Sequence, residues 1–288
     1  MDYVAVVGIE VLSAIASLIL ISIGLAIIFG MMRVINLAHG EFLMLGGYAA
    51  ITATKAGVNI WISMLVVAPL VVAVIGMIIE RCVVRFLYGR MIDTMLATWG
   101  LSLLLIGLVT TIFGNVTAGI SSPLGSFSVG NYNVSLYTLF MILVATVVSL
   151  GIYLLLKRTR FGLIARGTMQ NPDMAAALGL SPPRVYSITF GIGAALAGLA
   201  GGVLAPVTGV VPTIGVAYIA KAFITVIGGG AAILTGTLSA SALFGTINQL
   251  ASFASTPVIG EVALFIAAIV LVRLLPQGIT GRFFRRGL

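Results

Sequence analysis

The sequence predicts an all-α integral membrane protein: a polytopic bundle of about eight or nine segments, some of them broken or re-entrant. Three observations carry that expectation. Apolar residues make up 60% of the 288 positions and charged residues only 8%, where soluble domains run near ~45–50% and ~25%. Apolar runs of about 20 residues, the length a helix needs to cross a bilayer, recur along the chain. Glycine is abundant, at 35 residues, and it clusters where helices would touch or break. A chain of this size cannot hide so much apolar surface in one water-soluble core. Disorder and nucleic-acid binding fall on the same ground. The net charge of +8 reads instead as a basic cytoplasmic face. One cysteine, Cys82, and one histidine, His39, leave no basis for a disulfide framework or for a Cys- or His-based metal centre. No cofactor is expected.

Taken in order, residues 4–29 form the first candidate span, with Glu10 its one charge. It lacks the basic start of a signal peptide and is long for one, so it is read as a retained helix. Residues 42–54 are too few for an upright crossing. The stretches 58–79, 96–114, 134–156 and 185–208 hold no charged residue, and 216–234 carries Lys221. Two shorter stretches follow, 236–250 and 258–272, the latter with Glu261. No linker or low-complexity run divides the chain, so 1–288 is expected to be a single domain.

Orientation follows from the distribution of Lys and Arg. Loop 80–94 holds Arg81, Arg85 and Arg90. Loop 157–184 holds Lys157, Arg158, Arg160, Arg166 and Arg184. The tail 273–288 holds Arg273, Arg282, Arg285 and Arg286. These three stretches are assigned to the cytoplasm. Loop 115–133, which has no charge, is assigned to the outside. Parity then puts the N-terminus outside if the first three segments all cross.

Gly191, Gly193, Gly198, Gly201 and Gly202, interleaved with alanines, predict close helix packing in 185–208. Two other places suggest interrupted helices. Residues 30–41 gather Arg33, Asn36, His39 and Glu41 in a Gly-flanked stretch. Gly228, Gly229 and Gly230 interrupt a second apolar run. Paired interruptions point to a translocation path in transporters. Asn36, His39, Glu41, Lys221, Gly228, Gly229 and Gly230 are therefore the candidate path residues. A plainer alternative stands beside this: Asn36 and His39 satisfy backbone groups freed at a turn. Lys221 can pair with a Glu or line the path. No nucleophile–base or metal-ligand set is visible, so the chain is not read as an enzyme.

In loop 157–184, Asn171 can cap a helix, Pro172 suits its first position and Asp173 its positive end. Met174, Ala175, Ala176, Ala177 and Leu178 continue it, and Gly179 ends it. Resting on lipid and docking into a partner's groove are both open readings of this short helix. Docking is favoured, because Met and Ala make a small adaptable knob.

The run Ile35-Asn36-Leu37-Ala38-His39-Gly40-Glu41-Phe42 resembles the signature of permease subunits of bacterial ABC importers for branched-chain amino acids. Residues 174–180 resemble that family's coupling segment. Residues 189–206, Lys221-Ala222-Phe223, 228–230 and Leu275-Pro276-Gln277-Gly278 resemble its second half. Ala231-Ala232-Ile233 departs from the pattern that follows the glycine pair in many relatives. The run Leu96-Ala97-Thr98-Trp99-Gly100-Leu101-Ser102 looks closer to the urea and short-amide branch.

The resemblance implies a single transmembrane permease domain with a coupling loop at about 157–184, in the bacterial inner membrane. It implies alternating access and a set of partners: a second permease subunit, cytoplasmic ATPase subunits and a periplasmic substrate-binding protein, within membrane lipid and with no nucleic acid. No Lys follows a Gly, so the phosphate-cradling motif is missing and ATP hydrolysis is expected on a separate subunit. The alternatives are a urea or short-amide ABC permease, or a self-contained channel or secondary transporter.

Overall fold

The computed structural model describes residues 2–130, 132–230 and 232–283. Ala231 of the second interruption and Arg285 and Arg286 of the basic tail lie outside these described residues. The chain is helical almost throughout. The long helix α1 (Asp2–Met32) leads to α2 (His39–Lys55). A short turn α3 (Ile60–Ile62), a π-helical turn (Ser63–Val67) and α4 (Ala68–Cys82) run on as one 23-residue segment. Then come α5 (Met91–Phe113), the strands β1 (Ser126–Val129) and β2 (Tyr132–Ser135), and α6 (Leu136–Arg158). Two short helices, α7 (Arg160–Gln170) and α8 (Pro172–Ala177), precede α9 (Pro182–Thr208). The chain closes with α10 (Ile214–Gly229), α11 (Ile233–Ala254), α12 (Pro257–Leu274) and α13 (Gly278–Phe283).

Six of these segments are long and apolar enough to cross a membrane, or seven if the bent pair α10–α11 counts as one. The expected eight or nine is thus not confirmed. Two sequence stretches are the reason. Residues 42–54 belong to a 17-residue helix, α2, and residues 216–234 do not continue through Gly228–Gly230, because α10 stops at Gly229.

The helices gather into two compact units. The larger comprises Ile23–Ile120 and Leu150–Ala220. At its centre α9 packs against α2 and α4. The close packing expected from the Gly/Ala run is present. A methyl group added at Gly201 would strike the Leu43 carbonyl of α2, and one at Gly46 would strike Gly198. On the α4 side a Cβ at Gly198 would come within 2.8 Å of the Ala68 carbonyl oxygen. Small residues on facing helices let the backbones approach, the main route to helix packing where lipid is as apolar as protein. Phe42 of α2 and Phe190 of α9 add an edge-to-face pair at 5.9 Å. Of the apolar window of α9, 72% is buried, against 22% for α5, so α9 is the hub and α5 a wall.

The smaller unit comprises the chain up to Ser22, residues 121–149 and the chain from Lys221 onward. Its core is Leu18, Ala240, Phe244, Leu264, Ala268 and Leu271. Strands β1 and β2 form an antiparallel hairpin, with Phe127 opposite Val134, inside the loop that carries no charge. Asp2 lies against Gly130, and the Tyr3 ring is 6.0 Å from Tyr132 and 6.5 Å from Phe253. The start of α1 therefore sits at the same end of this unit as the uncharged loop.

The α2–α9 packing can be probed by substitution. Gly201→Val adds a branched side chain against backbone, an overpacking that costs about 1–3 kcal/mol or more. Gly107→Val, on α5 where a Cβ would meet nothing within 4 Å, serves as the matched control. Thermal unfolding in detergent should drop sharply for the first and stay near wild type for the second.

Candidate functional site

The first interruption lies between Met32 and His39 in the larger unit, with Val34, Asn36 and Ala38 buried and Arg33 exposed. Arg33, at φ +52°, is the one non-glycine residue with a left-handed backbone among the described residues. Its N–H still reaches the Phe29 carbonyl at 2.9 Å and ends α1. A left-handed non-glycine residue costs of order 1 kcal/mol, which marks this break as imposed by its surroundings. Freed backbone groups follow, and inside a membrane they must find partners. The Leu37 N–H donates to the Thr98 hydroxyl at 3.1 Å, and that hydroxyl lies 3.2 Å from the Ile35 carbonyl. The Asn36 side-chain oxygen accepts from the Ala38 N–H at 3.1 Å, and the His39 N–H reaches the Asn36 carbonyl at 3.3 Å.

Helix α2 then begins. His39 and Glu41 stand in its first turn, both fully buried, and point different ways, as their spacing of two requires. The His39 ring lies beside Gly24 of α1, where an added Cβ would be 3.1 Å from the ring. The Glu41 carboxyl reaches α5 and accepts from the Ser102 hydroxyl at 2.8 Å. Its second oxygen rests against Gly215 in the first turn of α10, where any Cβ would collide with it, and has no hydrogen-bond partner among the described residues. Gly40 and Gly215 touch backbone to backbone. Two helix N-termini, those of α2 and α10, thus converge on one carboxyl group. Both carry partial positive charge there, which offsets part of the cost of burying it.

The turn has the expected Asn36 contact and adds one from α5: Asn36 satisfies one freed group and Thr98 another. Thr98 and Ser102 are site residues that sequence reasoning misses. A signal exists: Thr94, Thr98 and Ser102 recur every fourth residue in an otherwise apolar helix, and with Leu105 and Val109 they make up its whole buried stripe.

The remaining expected path residues belong to the smaller unit. Lys221 of α10 pairs with Glu261 of α12 at 2.5 Å, which answers which carboxylate it meets. Glu10 makes no ion pair among the described residues. Gly228 faces the Phe244 ring, and a Cβ at Gly229 would lie 2.5 Å from the Gly236 backbone. Gly230, at φ +85°, turns the chain against Gly278, and Thr280 donates to the Gly229 carbonyl at 2.6 Å. These three glycines end α10 and allow the 114° bend into α11.

In the basic loop, α8 has the local structure that its sequence predicts. The Asn171 side chain accepts from the Met174 N–H at 2.9 Å, and Pro172 opens the helix. Gly179 closes it at φ +84°, donating to the Ala176 carbonyl at 2.9 Å. Ala175 is buried, while Met174 and Leu178 are 59% and 76% exposed. Asp173, Ala176, Ala177 and Gly179 are exposed as well. Nearby, the Tyr88 hydroxyl donates to Glu80, and its ring packs against Tyr186 at the start of α9. Burial, and then the bond to Glu80, push the Tyr88 hydroxyl above the ordinary tyrosine range. Among the described residues no three His, Cys, Asp or Glu side chains gather as a metal site.

Similarity to known proteins extends over most of the chain. The family described as branched-chain amino acid transport system / permease component matches residues 8–275. A probable branched-chain amino acid transport permease protein, LivH, of Methanocaldococcus jannaschii is 29% identical over 92% of this chain and 88% of its own. The high-affinity branched-chain amino acid transport system permease protein LivH of Escherichia coli K12 is 29% identical over 91% of each chain. Among solved structures, PsaBC from Streptococcus pneumoniae in complex with Fab covers 92% of this chain and 89% of its own, with 14% identity and a TM-score of 0.49.

Thr98 supplies the test of the break. Thr98→Val keeps shape but leaves the Leu37 N–H without its acceptor, a loss of about 1–3 kcal/mol. Thr98→Ser retains the hydroxyl. Unfolding in detergent should show the valine variant clearly destabilised and the serine variant close to wild type.

Proposed function

Since the chain belongs to the family of branched-chain amino acid transport permease components, we propose that it is one permease subunit of an ATP-driven importer. In this reading it moves branched-chain or other small amino acids across the bacterial inner membrane by alternating access. It works with a second permease subunit, cytoplasmic ATPase subunits and a periplasmic substrate-binding protein. ATP is hydrolysed on the ATPase subunits, and their motion biases the two states of the permease. The chain is then one permease domain, and the 17-residue α2 is a short crossing beside the six or seven longer spans.

One observation carries the reading furthest: α8, a capped two-turn helix in the most basic loop, presents Met174 and Leu178 one turn apart to the outside. An isolated helix this short is marginal, so the capping by Asn171 and Gly179 preorganises it. Exposed apolar knobs beside cationic residues suit a groove on a cytoplasmic partner. Residues 173–179 are assigned as the ATPase contact. The three basic stretches face the cytoplasm, and loop 115–133 with residue 2 faces the periplasm.

Asn36, His39 and Glu41, with Lys221 and Gly228, Gly229 and Gly230, are assigned to the translocation path or its control. The support is a helix break held by side-chain hydrogen bonds, and a buried carboxyl group with an oxygen left open. Intramembrane ionisable groups of this kind commonly serve substrate or ion pathways. A second reading, transport of urea or a short amide, draws on the run 96–102. Its Thr98 and Ser102 contact the break and Glu41.

Ala176→Asp tests the docking assignment. It places an unpaired charge in the contact, and should abolish copurification of the ATPase subunits and uptake of labelled leucine without affecting membrane insertion. Normal copurification would remove α8 as the contact, and a chain that never brings down an ATPase would favour a self-contained channel or secondary transporter. Uptake of labelled urea rather than leucine, in cells with and without the gene, would select the second reading.

A further inference from the structure

In the smaller unit the Lys221–Glu261 pair links α10 to α12. Further along both helices lies a groove of about 510 Å³, lined by Ile224 and Ile227 of α10 and by Phe265, Ile269, Val272 and Arg273 of α12. Ile269 is 69% exposed and Val272 43%. Arg273 stands in the last turn of α12, and no carboxylate among the described residues pairs with it. The groove is thus apolar along its length and cationic at one mouth. That mouth lies at the end of α12 away from Pro257. The other end follows α11, whose Phe253 meets Tyr3 beside the uncharged hairpin. By the charge asymmetry of the loops, Arg273 is then at the cytoplasmic face.

We propose that this groove is a binding site for one anionic phospholipid of the cytoplasmic leaflet, with an acyl chain along the seam and the phosphate on Arg273. Length, volume and charge all fit. From Phe265 to Arg273 is eight residues, about 12 Å along a helix, comparable with the ~15 Å that one leaflet contributes to the hydrocarbon core. The volume falls in the ordinary range for small-molecule sites, ~300–1,000 Å³. The cytoplasmic leaflet carries the anionic headgroups, and a basic residue at its surface attracts them. The Lys221–Glu261 pair closes the seam at the other end, so the chain terminus would meet a neutralised pair and not a lone charge. Lipid here would brace α12 against α10, about one turn before the bend at Gly230. The proposal is independent of which solute is moved. It rests on the cytoplasmic position of Arg273.

The test uses the assembled transporter, purified with its partner subunits. Native mass spectrometry after exchange into phosphatidylglycerol or phosphatidylcholine should show phosphatidylglycerol retained in preference. Arg273→Gln should lower that retention about fivefold, the effect of one basic residue at the surface. Val272→Trp, at an exposed position on the groove wall, should displace the lipid while leaving the complex assembled. Retention of both lipids alike, or unchanged phosphatidylglycerol in the two variants, would overturn the site. A cysteine at Val272, in a Cys82→Ser background, that cross-links to the second permease subunit would overturn it too, because the groove would then be a subunit interface.

Discussion

Backbone hydrogen bonds set the terms for this protein. In hydrocarbon a free N–H or carbonyl costs several kcal/mol, and yet α1 stops at Met32 and the chain runs without helix until His39. Side chains take up part of this cost: the Ala38 N–H donates to the Asn36 side-chain oxygen, and the Leu37 N–H to the Thr98 hydroxyl on α5. Because that contact ties the break to α5, α2 starts at a defined height, and its first turn delivers Glu41 to Ser102 one turn further along α5. The first turn of α10 is drawn into the same place by the Gly40–Gly215 contact. Break, carboxyl and helix ends are consequences of one arrangement.

That arrangement needs a rigid support, and α9 supplies it. Its glycines and alanines admit the backbones of α2 on one side and α4 on the other. Dispersion contacts between such close backbones replace the hydrophobic drive that lipid removes. The smaller unit is built differently. There larger residues such as Phe244, Leu264 and Leu271 fill the core, and glycine is concentrated at the bend after Gly229. A Gly/Ala hub thus stands in one unit and a sharply bent helix pair in the other.

How much of this is legible in the sequence depends on whether the physics is local. The cap of α8 is readable, because Asn171, Pro172 and Gly179 act within a few residues of one another. So is the packing face of α9, since its small residues recur at helical spacing. The number of spans is not. Hydropathy does not say whether a 17-residue helix such as α2 crosses, nor whether the runs on either side of Gly228–Gly230 make one span or two. The partner of Lys221 lies 40 residues away, beyond any local pattern. Thr98 and Ser102 are within reach, as polar residues four apart in an apolar helix. Without the fold, though, nothing ties them to the break or to Glu41.

Most depends on whether the Glu41 carboxyl, held by Ser102 beside the break, serves transport and not merely folding. The decisive measurement is uptake of labelled leucine by the complete transporter carrying Glu41→Gln, read together with copurification of the ATPase subunits. Glutamine keeps the shape and can still meet the Ser102 hydroxyl. Assembly is expected at wild-type levels with uptake lowered about tenfold or more, equivalent to a barrier higher by ~1.4 kcal/mol. Full uptake by the assembled variant would contradict a transport role and leave Glu41 a structural residue of the α2–α5–α10 junction.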